Sequence, residues 1–216
     1  MSEARPLLLE LFSGTGSIGK AFRAQGFDVI SVDSDPKAQS TICRDILEFS
    51  IEELDGRTVD VIWASPPCTN YSKARGGTTS DELEESDELV RKTLRIAREL
   101  GGCALFVENP WTGTLKSRGL LDHLHLQKVD YCKYGMPYRK RTAIWTNTGW
   151  KPARALCSGD CGHMAGTKHE ARAQQGGPGQ SFSQRELYRI PAELCEELAG
   201  FMHIQFRRPG EPYIEG

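Results

Sequence analysis

The chain has 216 residues, 38% of them hydrophobic, which suits one domain with a real core and excludes two full ones. A net charge of -2 gives no global argument for a polyanionic partner, although "DELEESDE" is acidic while "YCKYGMPYRKR" and "WKPAR" are basic. With no apolar run of the ~18 residues a span needs, too short a hydrophobic start for a signal peptide, and seven scattered cysteines, a soluble, reduced, intracellular protein is expected, cytoplasmic or nuclear and off the membrane.

The first apolar run, "LLLELF", enters "FSGTGSIG", which contains G-x-G-x-x-G at Gly14, Gly16 and Gly19. A turn of this kind lets the backbone approach a ligand, and Asp33, closing the second run "DVISV", stands where an acid holds ribose hydroxyls. Dinucleotide enzymes and S-adenosylmethionine enzymes both fit. Glu10 leans toward the methyl donor, because a negative charge there suits an ammonium and a sulfonium better than a pyrophosphate. Asp45, in "CRDI" after a third short strand, reads either as an acceptor for an adenine amino group or as a surface aspartate.

Further strands are read in "VDVIWAS", "CALFVEN", "QKVDYC" and "TAIWTN", most of them separated by helix-like segments. That alternation predicts a doubly wound, mostly parallel α/β sheet. The clearest helix follows Thr79, which forms a capping box with Glu82, and Leu83, Val90, Leu94 and Ala97 share one face. Its acidic run reads as a solvated helix start. The link holding Gly135 and Pro137 is too short for a crossover, so the last two strands are expected to be antiparallel. A helix "PAELCEELAGF" begins at Pro191 and is expected to stop at Gly200, and "RRPGEPYIEG" reads as a tail.

The reacting groups sit at later strand ends. "DVIWASPPCTNYS" presents Cys68 on two prolines that fix φ and remove backbone donors, while "FVENP" brings Glu108 and "MPYRKRTAIW" brings Arg139 and Arg141. Thiolate attack on carbon 6 of a pyrimidine makes carbon 5 nucleophilic. An acid at ring nitrogen 3 and a guanidinium at the base carbonyl or a phosphate assist it.

Residues 151–180 lose all periodicity and form a small irregular insert, between a core over 1–150 and a returning helix and tail over 181–216. Cys157, Cys161, His163 and His169 offer a zinc-ligand mix there. Cys161 and His163 are close for simultaneous ligation, so the preferred set takes Cys132 as fourth ligand: Cys132, Cys157, Cys161 and His169. Solvent-exposed polar loop residues are the plainer reading. Cys43, Cys103 and Cys195 read as packing residues, His123, His125 and His203 as surface or helix-end residues, and Trp63 and Trp145 as strand packing.

In their order, "LELFSGTGS", "VDSDP", "RDI", "SPPCTNYS", "VENP" and "YGMPYRKRTAIW" resemble the motifs of the DNA cytosine-5 methyltransferases over residues 7 to 147. The resemblance implies the sheet of the S-adenosylmethionine-dependent methyltransferase type. It implies that Phe12, Ser13, Gly14, Thr15, Gly16, Asp33, Asp45 and Pro66, with Glu10, hold S-adenosylmethionine. Cys68 is then the nucleophile, Glu108 engages the base, and Arg139 and Arg141 support it. Thr69 to Gly77 would be a mobile substrate loop, with Lys73 and Arg75 reaching phosphates. The chain departs from the family in carrying Tyr138 and "RKR" where a glutamine precedes spaced arginines, and in carrying only the short insert where a large recognition region is usual. A possible zinc knuckle there, near Lys168 and Arg172, would be a compact substitute. The expected activity is methylation of carbon 5 of cytosine in DNA, duplex or single-stranded, with or without a recognition subunit. The alternatives are an RNA cytosine-5 methyltransferase, a catalytically silent nucleic-acid-binding or regulatory subunit and, remotely, a dinucleotide oxidoreductase.

Overall fold

The structure is a computed structural model that describes residues 5–72, 77–173 and 182–206. In chain order it forms β1 (Leu7–Leu11), α1 (Ser17–Ala24), β2 (Asp28–Asp33), β3 (Ile42–Cys43), β4 (Val61–Ala64), α2 (Ser80–Leu100), β5 (Ala104–Pro110), β6 (His125–Asp130), β7 (Arg141–Thr146), β8 (Met164–Ala165), β9 (Lys168–His169), α3 (Gln184–Tyr188) and α4 (Ala192–Phe206).

The main sheet has seven strands in the order β3-β2-β1-β4-β5-β7-β6, and β8 and β9 make a separate ribbon. From β3 across to β5 every pairing is parallel, while β7 runs antiparallel to both β5 and β6. The short Gly135–Pro137 link dictates that reversal. Side-chain alternation splits the core in two. Leu7, Leu9 and Leu11 face Val90 and Ile96 of α2, and Leu8 faces Ile18 and Phe22 of α1 and Leu194 and Leu198 of α4. The chain leaves β1 toward β2 on one side and returns to β4 on the other, so a crevice opens at the carboxyl ends of β1 and β4. Open α/β sheets place their ligands at such a switch point.

The helix-start chemistry of α2 holds: Thr79 Oγ1 accepts the Glu82 amide at 3.2 Å and the Glu82 carboxylate accepts the Thr79 amide at 2.9 Å. Its acidic run is not merely solvated, because Asp87 is 1% exposed and bound on the inside. Among the described residues, α-helix fills only the β1–β2 and β4–β5 crossovers, the connections from β2 through β3 to β4 and from β5 to β6 using short 3-10 turns instead. Residues 34–41 leave too little length for a covering helix. Gly200 does not end α4, which continues to Phe206; its φ is not left-handed, and Leu198 and Met202 carry the buried stripe past it. Cys43 is exposed rather than packed, since β3 is a two-residue edge strand. The proposed tail lies outside the described residues.

Candidate active site

The turn after β1 is held in conformations few side chains adopt. Phe12 has φ 56°, Gly14 49° and Gly16 64°, and the glycines take this region without the steric cost that Phe12 bears. Asp33, at the end of β2, pins the turn: Oδ2 accepts the Gly14 amide at 2.8 Å and Oδ1 the Asp35 amide at 2.8 Å. Glu10 is 3% exposed, and burial pushes its carboxyl up to about 7 against the opposing pull of the Gly19 amide and Arg23. A Cβ at Gly19 would lie 2.5 Å from Glu10 Oε2, so any side chain there would have to displace this carboxylate. Ser13 Oγ is buried without a hydrogen-bond partner among the described residues.

These groups share a cleft of about 290 Å³ with Cys68 and Glu108. Two links build its reacting end. Trp63 Nε1 donates to Ser65 Oγ at 2.9 Å, and Asn109 Nδ2 reaches from β5 to donate to the Pro66 carbonyl at 3.0 Å, fixing the Pro-Pro-Cys turn against the next strand. Cys68 is half-buried, and burial, with the Glu108 charge, raises its thiol while Lys140 pulls it down. Glu108 is 7% exposed; burial raises its carboxyl above the usual range, opposed by Lys140, Ser65 and Tyr131. Tyr131 Oη donates to Glu108 Oε1 at 3.3 Å. An acid held this way donates a hydrogen bond at pH values where an exposed carboxylate only accepts.

Lys140 is the cation that lines the cleft among the described residues, its Nζ donating to the Leu187 carbonyl at 2.8 Å and lying 5.2 Å over the Tyr131 ring. Neither arginine singled out from sequence is there. Arg139 is exposed on a separate groove beside the cysteine-rich lobe. Arg141 donates from Nε and Nη2 to the two oxygens of buried Asp130 at 2.9 and 2.7 Å, and Asp130 also accepts the Cys157 amide at 2.9 Å. Strand parity explains the exchange. Glu108 pairs with Ile144 across β5 and β7, so residues an even number of positions from Ile144 share its face, and Lys140 qualifies while its two neighbours do not.

Of the remaining cofactor candidates, Phe12, Thr15 and Pro66 line the cleft, and Gly16 caps α1 beside it. Asp45 does not reach it; exposed, it accepts the Leu47 amide at 2.9 Å and shapes its own turn. Lys73 and Arg75 lie outside the described residues. The segment just after Cys68 is anchored: Tyr71 is fully buried, its hydroxyl donates to Asp87 Oδ1 at 2.8 Å, and Arg118 holds Asp87 Oδ2 at 2.9 and 2.5 Å. A tyrosine two residues beyond a polar turn was the only sequence signal for this anchor.

The lobe places Cys132, Cys157, Cys161 and His169 with their ligand atoms all within 4.8 Å of one another, and Cys157 Sγ is 3.5 Å from His169 Nε2. His163 turns away to Glu170, at 3.3 Å. The 3-10 turn at Tyr131–Tyr134 supplies Cys132 from the core, and the loop before β8 and the ribbon supply the others.

A sequence model of the C-5 cytosine-specific DNA methylases matches residues 7–131. The chain is 35% identical over 213 residues to the "Probable DNA (cytosine-5)-methyltransferase" of Frog virus 3 (isolate Goorha), covering 88% of this chain and 97% of that one. It is 26% identical over 113 residues to the type II methyltransferase M.XorII of Xanthomonas oryzae pv. oryzae, covering 44% of this chain and 26% of that one. Among solved structures, one named as a DNA modification methyltransferase encoded within an E. coli prophage superposes with a TM-score of 0.52 at 21% identity, over 65% of this chain and 46% of that one. The Dnmt2 methyltransferase of S. pombe gives 0.51 at 16%, over 74% and 59%. These two likenesses bear on the fold, which is that of the S-adenosylmethionine-dependent methyltransferases. The chain belongs to the C-5 cytosine-specific DNA methylase family, and its enzyme class is DNA (cytosine-5)-methyltransferase. Among the described residues no helix is long and apolar enough to cross a membrane.

Proposed function

We propose that the chain methylates carbon 5 of cytosine in DNA through a transient bond between Cys68 Sγ and carbon 6 of the base. The observation that carries this is the meeting of Cys68, Glu108 and Lys140 in the cleft that Glu10, Ser13 and Asp33 also line. S-adenosylmethionine fits the latter three: Ser13 Oγ is a buried polar atom wanting a partner, and Glu10 and Asp33 suit a cation and ribose hydroxyls. When bound, it supplies an electrophilic methyl group.

The chain's own groups do the rest. Lys140 favours loss of the Cys68 proton to solvent, and the thiolate forms a bond to carbon 6 while the electron pair of the 5,6 double bond moves to carbon 5. Glu108, whose burial favours the protonated form, donates to ring nitrogen 3 and spreads the negative charge, and Lys140, lining the same cleft, faces the carbonyl oxygen. After carbon 5 is methylated its proton leaves to solvent, the double bond reforms, and Cys68 is expelled. Asn109 and the Tyr71–Asp87 pair keep the nucleophile's turn in place throughout.

The same reading gives residues 1–150 the catalysis and 151–180 a structural zinc. Sulfurs and nitrogen about 2.0–2.3 Å from zinc in a tetrahedron are roughly 3.5–4 Å apart, which the quartet meets with slight closure. The test is a covalent one. Protein and methyl donor are mixed with 5-fluorocytosine-substituted DNA and, separately, RNA, and denaturation-resistant adducts are counted for wild type and Cys68→Ala. An adduct on DNA that the variant lacks supports the proposal. An adduct on RNA alone transfers the activity to that polymer, and none on either, with donor still bound, removes Cys68 from the role.

A further inference from the structure

The cysteine-rich lobe carries a groove that the cleft chemistry does not use. It is bounded by Arg139 before β7, by Lys168 on β9 and by Arg172 just after, and among the described residues its lining contains no aspartate or glutamate. All three cations are exposed, and none is paired with a carboxylate among the described residues. The acids of the lobe are engaged elsewhere: Asp160 with Lys133 at 2.9 Å, Glu170 with His163 at 3.3 Å, and buried Asp130 with Arg141.

The groove is tied to the cleft through backbone. Ala171 donates its amide to the Pro137 carbonyl at 3.1 Å, and Tyr138 bridges to Ala171, so the loop carrying Arg172 is fastened to the segment that leads into Arg139. Tyr138 is fully packed and meets Phe182 edge-on at 5.0 Å, which makes the joint firm. Lys140 then enters the cleft one residue, about 3.8 Å of chain, after Arg139 enters the groove. Exposed cations without carboxylate partners, lining one groove beside the cleft, suit a polyanion whose one segment reacts while the next is held.

We propose that Arg139, Lys168 and Arg172 bind the phosphate backbone of duplex DNA flanking the target cytosine, making the lobe the DNA clamp of this chain. This rests on the reading of the cleft above. Such contacts position the duplex and add affinity without reading sequence. The competing role for the same cations is purely internal: a zinc ion with three thiolates and an imidazole carries a net negative charge that they would neutralise.

The experiment compares wild type with the triple variant Arg139→Gln, Lys168→Gln, Arg172→Gln, measuring binding to a cytosine-containing duplex oligonucleotide over a series of salt concentrations. Zinc content, melting temperature and methyl-donor binding are read in parallel. Each lost phosphate contact removes about 0.9 from the slope of log affinity against log salt, so the expected drop is about 2.7 for all three, with the other readings unchanged. A slope equal to that of wild type overturns the clamp, and an equal slope with lost zinc assigns the cations to the metal centre. The cleft reading is judged separately by wild-type adduct formation. Adducts with an unchanged variant slope sink the clamp alone, and a reduced slope without wild-type adducts sinks the cleft chemistry and leaves the clamp standing.

Discussion

Asn109 on β5 donates its amide to the carbonyl of Pro66, 3.0 Å away, and thereby joins the "VENP" strand to the "SPPC" turn. The bond couples the strand that carries Glu108 to the turn that carries Cys68, the nucleophile proposed above. Asn109→Ala leaves a buried carbonyl without its donor. Adduct formation should slow by about 10²-fold, as small misplacements of reacting groups do, while donor binding stays within severalfold. Rapid-quench trapping on fluorinated DNA measures this, and a normal rate would show that Cys68 is positioned without Asn109.

Lys140 and Arg141 are adjacent and should fail in opposite ways. Lys140→Met is expected to lower turnover by about 10²–10³-fold with little change in melting, because it faces the cleft. Arg141→Met strips the partner from Asp130, whose side chain is 0% exposed, and is expected to cost about 3–5 kcal/mol of stability. Chemical denaturation alongside initial rates separates the two. If Arg141→Met unfolds normally and loses only rate, the arginine belongs to the reaction after all.

Glu10 gives a pH dependence with a defined sign. Its carboxyl sits near 7 in the free protein through burial, and a bound cation favours the ionised form, so binding below that pH must release a proton. Affinity for the methyl donor therefore rises with pH by up to about tenfold per unit below 7 and levels off above it. Calorimetric titrations across this range should show the bend, and Glu10→Gln should bind weakly with no bend. Pulse-free equilibrium binding that is flat in the wild type would count against a charged contact at Glu10.

Tyr71→Phe removes the hydroxyl that Asp87 accepts in a buried site. A loss of about 1–3 kcal/mol is expected, and each kcal/mol corresponds to about 2–4 °C of melting temperature at this size. Thermal unfolding at constant pH decides it. An unchanged midpoint would mean that Arg118, with Arg91 3.9 Å from the same carboxylate, holds Asp87 without the tyrosine.

Metal removal should act on the lobe first. About one zinc per chain is expected on elemental analysis, lost in Cys157→Ser, and a chelator should open the segment over 151–173 to protease before the sheet melts. A fully reduced protein without zinc but with a protease-resistant lobe would refute the metal.

The sequence carried more of the fold than of the contacts. Every main-sheet strand except short β3 stood out as an apolar run, and the antiparallel end followed from the shortness of one link. Cys132 could be joined to Cys157, Cys161 and His169 because Cys161 and His163 stand close in sequence for both to ligate one ion. Lys140 was passed over since its face depends on the β5–β7 register, which no local pattern contains. Asp87 was hidden for another reason: acids crowd the start of any stable helix, so the one that turns inward looks like the rest. Asp45 stands at a motif position where its exposed side chain accepts the amide of its own turn.

Three successive residues, Arg139, Lys140 and Arg141, go to the groove, the cleft and Asp130 respectively. The cysteine-rich lobe is consequently not an interchangeable cassette. A chimera that swaps in another lobe between β7 and α3 would inherit an Asp130 without the Cys157 amide and a Tyr138 without its bridge to Ala171. A workable transplant has to take residues 130–141 along with 151–173, so a new lobe on this scaffold comes only together with a rebuilt wall of the cleft.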